Sequence, residues 1–136
     1  MRIEAGLDDF EDFSPLAPGT YDFIIKKPVD VTPNVDEKND IGGNLYTFVV
    51  YPEVESGEKA GKEVRRQLSN RSKASRFFLR NFLERIGVEV SVGGSFATED
   101  MLGRRFRAVV MERTYKDKDG NEKKAADFDD RSIIGL

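Results

Sequence analysis

The chain has 136 residues, a formal net charge of −3, no cysteine and no histidine. One domain with a modest core fits that length. Composition excludes disulfides, cysteine nucleophiles, thiolate zinc sites and every role that needs an imidazole. The small net charge hides an asymmetry. Residues 1–60 carry 5 Lys/Arg against 13 Asp/Glu, a balance of −8, and the remainder carries 17 against 12, or +5.

Residues 1–18 read as an acidic flexible tail, in which Asp8, Asp9, Glu11 and Asp12 alternate with Leu7, Phe10 and Phe13 ahead of Pro15 and Pro18. So few apolar residues build no core. A secretory signal would begin basic and turn apolar, and this start is acidic. No run approaches the apolar length of a membrane span, so no membrane is expected. Residues 19–136 form the domain.

TYDFIIKKPVDV, from Thr20, alternates branched or aromatic residues with polar ones and predicts a first strand. The loop TPNVDEKNDIGGN closes it. NLYTFVVYPEVE is the second strand, ESGEKAG a turn, and KEVRRQLS the third strand. Ser72 is placed to cap a helix. Along it, Ala74, Phe78, Phe82 and Ile86 recur every fourth residue, flanked by Leu79 and Leu83, as one apolar face. Gly87 supplies its stop. VEVSVGGSF reads as a short strand or a loop, and TEDML as one helical turn capped by Thr98 and stopped by Gly103. RRFRAVVMERTY is the fourth strand, KDKDGN a hairpin turn and NEKKAADF the fifth strand. RSIIGL extends that strand or ties down the end. The order β-β-β-α-β-β predicts a mainly β OB-fold, a five-stranded Greek-key barrel with one helix between strands 3 and 4. A mixed α+β sheet is the alternative.

Catalytic signatures are missing. DKDGNE has its glycine too early for a calcium loop, and DFDD, with Asp127, Asp129 and Asp130, offers at most carboxylates for a hard cation. No phosphate-cradling loop, nucleophile elbow or H-E-x-x-H motif is present. The sequence therefore predicts a non-enzyme with no cofactor and no metal.

Charge and aromatic patterning point to binding. Residues 61–85 hold eight basic residues against Glu63 and Glu84. Lys73, Arg76, Phe77 and Arg80 share one side of the helix. Lys62, Arg65, Arg66 and Arg71 lie just upstream. Arg105, Arg107 and Arg113 share one parity of the fourth strand with Tyr115, while Phe106, Ala108 and Val110 share the other and are assigned to the core. Single-strand binding needs cations that follow phosphates and rings that stack on bases, and arginine serves both. The expected phosphate contacts are Lys62, Arg65, Arg66, Lys73, Arg76, Arg105 and Arg107. The expected stacking residues are Tyr46, Tyr51 and Tyr115, with Tyr46 at a parity that also suits the interior. The competing reading pairs the arginines with Glu63 or Glu112 across the sheet and buries the rings.

Several short stretches carry a resemblance: P-x-G-x-Y at Pro18, Gly19 and Tyr21, A-G-K-x-V at Ala60 to Val64, FLERIG, MLGRRFRAVV, and Tyr-x-Asp-x-x-Gly at Tyr115, Asp117 and Gly120. Over about residues 18–135 the chain resembles a family of small tailed-phage proteins described as single-stranded-DNA-binding-like and encoded near replication and recombination genes. The resemblance implies an OB-fold and single-stranded DNA as partner, bound without sequence preference in the cytoplasm of an infected bacterium. It brings no ligand residues with it. The tail lies outside it, and is expected to compete with DNA for the basic groove, to recruit phage or host replication and recombination proteins, or only to solubilise. A homo-oligomer is compatible with this reading. The alternative function is a protein-interaction module that binds a replication enzyme, a nuclease or a host defence protein through its basic face. A virion component is the third.

Overall fold

A computed structural model of the chain describes residues 1–2, 15–35 and 43–136. The acidic stretch 7–13 and part of the TPNVDEKNDIGGN loop lie outside the described residues. The architecture is mainly β with one α-helix: β1 (Gly19–Ile24), β2 (Asp30–Pro33), β3 (Tyr46–Val50), β4 (Glu53–Val54), β5 (Arg66–Ser69), α1 (Lys73–Arg85), β6 (Arg105–Lys116), β7 (Glu122–Phe128) and β8 (Ile134–Gly135). One sheet runs β4-β1-β6-β7 with β8 on β6, the other β2-β3-β5, and the β-structure curls strongly into a half-barrel.

The five expected strands are therefore divided. Proline lacks a ladder donor and fixes φ, which interrupts a strand. The first expected strand breaks around Pro28 into β1 and β2, and the second at Pro52 into β3 and β4. Each pair contributes to both sheets: β1 pairs with β4, and β2 with β3. The third expected strand pairs with β3 only over Arg66–Ser69, with one further bridge between Glu53 and Glu63. RSIIGL ties down the end, because Phe106 and Arg107 of β6 pair with Gly135 and Ile134.

The interior is aromatic. Phe23 stacks on Phe106 at 5.4 Å and meets Phe128 edge-on at 5.0 Å, and Phe82 of α1 meets Phe106 edge-on at 6.0 Å. Each such pair adds about 0.5–1.5 kcal/mol beyond its buried area. The alternation along β6 holds as far as Val110, with Phe106, Ala108 and Val110 buried, and from Met111 onward every β6 residue is exposed. Leu16 also joins this core, so burial begins inside the segment expected to be tail.

Ser72 caps α1, its Oγ accepting from the Ser75 amide at 3.1 Å. Gly87 follows the helix with φ 89°, the left-handed conformation expected of it. The helix buries Leu79, Phe82, Leu83 and Ile86, but Ala74 and Phe78 are exposed. The expected apolar face is thus corrected. A four-residue step of 400° drifts by about 40° each time on a 100° helix, so a strict every-fourth row rotates off the core within two turns. The TEDML turn is a 3₁₀ turn, Thr98–Met101, whose cap is Ala97 rather than Thr98. VEVSVGGSF forms no strand. At the far end of α1, Gly135 passes under the last turn: a Cβ there would lie 2.9 Å from the Arg85 carbonyl oxygen.

Among the described residues, β5 pairs with β3 alone and β7 with β6 alone. Two strand edges therefore carry ladder groups that no other strand satisfies.

A candidate nucleic-acid interface between two strand edges

A trough runs between those two edges. It consists of three adjoining recesses of about 480, 510 and 180 Å³. The first two share Arg65 and Arg113, and the last two share Arg66, Gln67 and Phe78. Tyr115 and Lys124 line the first recess. Of the ten residues expected to bind, the trough brings together Arg65, Arg66 and Tyr115.

Each gets there for a local reason. Arg65 and Arg66 stand where the third expected strand begins to pair with β3. Arg66 bridges to the opposite edge, Nη1 to Asp127 at 3.1 Å and Nη2 to Asp130 at 2.8 Å, with only 12% of its side chain exposed. Asp127 and Asp130, weighed above as ligands for a hard cation, hold a guanidinium instead. Arg65 is exposed and reaches Gln67 at 3.5 Å. Arg113 and Tyr115 lie beyond the last β6 residue that β1 covers, Val110. Arg113 sits over the Tyr115 ring at 5.7 Å.

The other expected residues lie elsewhere. Arg105 donates from Nε to both carboxylate oxygens of Glu55, at 2.8 and 2.9 Å. Arg107 faces Asp22, its direct partner in the β1–β6 register, at 2.8 Å. The hydrogen bond from Arg107 holds the Asp22 carboxyl below its usual value, and the same bond raises Arg107. The competing reading thus describes Arg105 and Arg107, with Glu55 and Asp22 as the partners. Glu63 instead meets Lys27 at 2.8 Å, and Glu112 meets Lys124 at 3.6 Å.

Tyr51 donates its hydroxyl to Asp30 at 2.7 Å, which raises its pKa, and Arg65 opposes that rise from beside it. Lys27 lies over the same ring at 5.9 Å. Tyr46 is half-buried and packs on the core. Arg76 donates to the Asn70 carbonyl at 3.1 Å and faces a separate recess with Arg80 and Phe96. Lys62 belongs to the turn before β5, and Lys73 is the exposed first residue of α1. Neither lines the trough.

Sequence reasoning placed Arg113 on the right strand face without counting it as a contact, and missed Phe78 and Lys124. Phe78 is 47% exposed and Phe77 67%, with their rings edge-on at 5.5 Å. Consecutive helical residues point about 100° apart, so the Phe77–Phe78 pair already signals that one ring leaves the core. Lys124 stood in the sequence as half of a Lys-Lys pair within a strand, the charge that guards an edge.

No protein-family model matches the chain, and no curated protein matches it either. Among the described residues no helix is long and apolar enough to cross a membrane. Chemically, the trough offers guanidinium forks and an ammonium for an anionic backbone, with Phe78 and Tyr115 as exposed ring faces.

Proposed function

We propose that the chain is an OB-type barrel left open at one junction, and that it binds single-stranded DNA there with little sequence preference. Its role on this reading is in phage DNA replication or recombination, in the cytoplasm of the infected cell. The pairing order supports the fold. With β1/β2 and β3/β4 each counted as one strand, the first strand pairs with the second and fourth, the second with the third, and the fourth with the fifth. The contact still wanting is third to fifth, and a partly open Greek-key barrel tolerates such a gap.

One observation carries the function. Arg65, Arg66, Arg113 and Lys124 converge with two exposed rings along edges that no strand covers among the described residues. Phosphates suit the cations, and bases suit the rings, at about 1–3 kcal/mol per stacked base. A duplex hides its base faces and would gain only the phosphate part.

Fluorescence anisotropy with oligo-dT of increasing length, a duplex control and two salt concentrations tests this. Affinity should climb with length to a plateau, favour single strands and fall with salt. No binding at low salt would sink the reading, and capture of a protein partner would become the next question.

A further inference from the structure

The trough is not simply basic. Asp127 divides its carboxylate between two arginines: Oδ1 lies 3.1 Å from Arg66 Nη1, and Oδ2 lies 3.6 Å from Arg113 Nε. Asp130 meets Arg66 Nη2 with both oxygens, at 2.8 and 3.0 Å. The pairing is incomplete. Arg66 Nε is buried without a hydrogen-bond partner, and the 2.8 Å contact to Asp130 Oδ1 lacks hydrogen-bond alignment. Arg113 is held only at 3.6 Å, with 60% of its side chain exposed. Arg105, by contrast, meets both oxygens of Glu55 within 2.9 Å.

We infer that Asp127 and Asp130 occupy the anion positions that a bound strand's phosphates take, so that binding exchanges carboxylate for phosphate at Arg66 and Arg113. This rests on the single-stranded-DNA reading above. A guanidinium accepts either anion with the same planar fork, and the recess of about 510 Å³ beside the pair has room for a phosphate. Asp127 Oδ1 also accepts from the Phe128 amide at 2.8 Å. That bond anchors the carboxylate to β7, so the arginines do the moving. After exchange the carboxylates remain as like charges near the phosphates. Asp127 and Asp130 therefore set how tightly the trough holds a strand, without touching a base.

Asp127→Asn and Asp130→Asn, singly and together, test this in the full chain. Asparagine keeps an oxygen for the Phe128 amide. Each single variant should bind oligo-dT about 5-fold more tightly, the effect of one like charge removed near a phosphate at surface dielectric. Thermal unfolding checks that each variant folds, and Asp130→Asn alone suffices if the double variant does not. Wild-type binding with no gain in the folded variants would overturn the inference and leave the proposed function standing. If wild type binds no DNA, pyrophosphate becomes the probe. A larger pyrophosphate-induced thermal shift in the variants would support the exchange by itself, and an equal shift would overturn it.

Discussion

Two arginine-rich regions lie on the same strand and behave differently. Where β1 covers β6, Arg105 and Arg107 find Glu55 and Asp22 beside them and form close pairs. Beyond Val110 that cover ends, and the carboxylate nearest Arg113 is one shared with Arg66, at 3.6 Å. Residue type and parity are the same in both places. What differs is the neighbouring strand, which decides whether a cation is neutralised or left available to a ligand. The seam holds a third kind of arginine, because Arg66 links two sheet edges that, among the described residues, no backbone hydrogen bond joins.

Stability gives the largest test of this contrast. Replacing Arg66 by alanine strands the partly buried Asp130 carboxylate and leaves Asp127 with Arg113 at 3.6 Å as its guanidinium, and should lower the unfolding free energy by about 3 kcal/mol. Arg105→Ala removes a surface pair and should cost about 1 kcal/mol or less. Urea denaturation that found equal costs would break the distinction. Affinity comes next. Joint reversal of Arg65 and Arg113 to glutamate should weaken oligo-dT binding about 100-fold, whereas the same reversal at Arg105 and Arg107 should change it less than about 3-fold. A reversed ranking would move the interface to the β1–β6 face. Phe78→Ala should reduce affinity about 10-fold through one lost stack while barely moving the urea midpoint, since that ring is half exposed.

Acid titration supplies the smallest effect. Arg107 makes the Asp22 carboxyl more acidic in the folded chain than its ordinary 3.8. Such a group adds stability above the unfolded value and loses it as pH falls through the folded value. Wild type should therefore lose, below about pH 3.8, a small increment that Asp22→Asn lacks. Parallel acid-unfolding curves for the two would contradict it.

Much of the fold was legible locally. Alternation in RRFRAVVMERTY as far as Val110, the cap at Ser72 and the stop at Gly87 each depend on neighbours within a few residues, and each holds. Division of the long strands was written in Pro28 and Pro52, but a proline inside an alternating run does not say which sheet each half will join. The side chains around the trough were harder. Arg66 and Asp127 are 61 residues apart and Arg66 and Asp130 are 64 apart, so no window of sequence shows that they meet. The pairing of Arg105 and Arg107 was hidden for the same reason: their partners lie 50 and 85 residues away.

The two uncovered strand edges have a consequence for how the protein behaves in a crowded solution. The ladder groups of β5 and β7 that no strand satisfies among the described residues are a template on which another chain could add a strand and begin a fibril. The exposed Arg65 and Lys124 stand beside that template as charge repelling a second copy. The cations proposed to hold a polyanion thus also act as gatekeepers against self-assembly. Mutants made to abolish binding should be watched for turbidity, because a neutralised trough is also a stickier one.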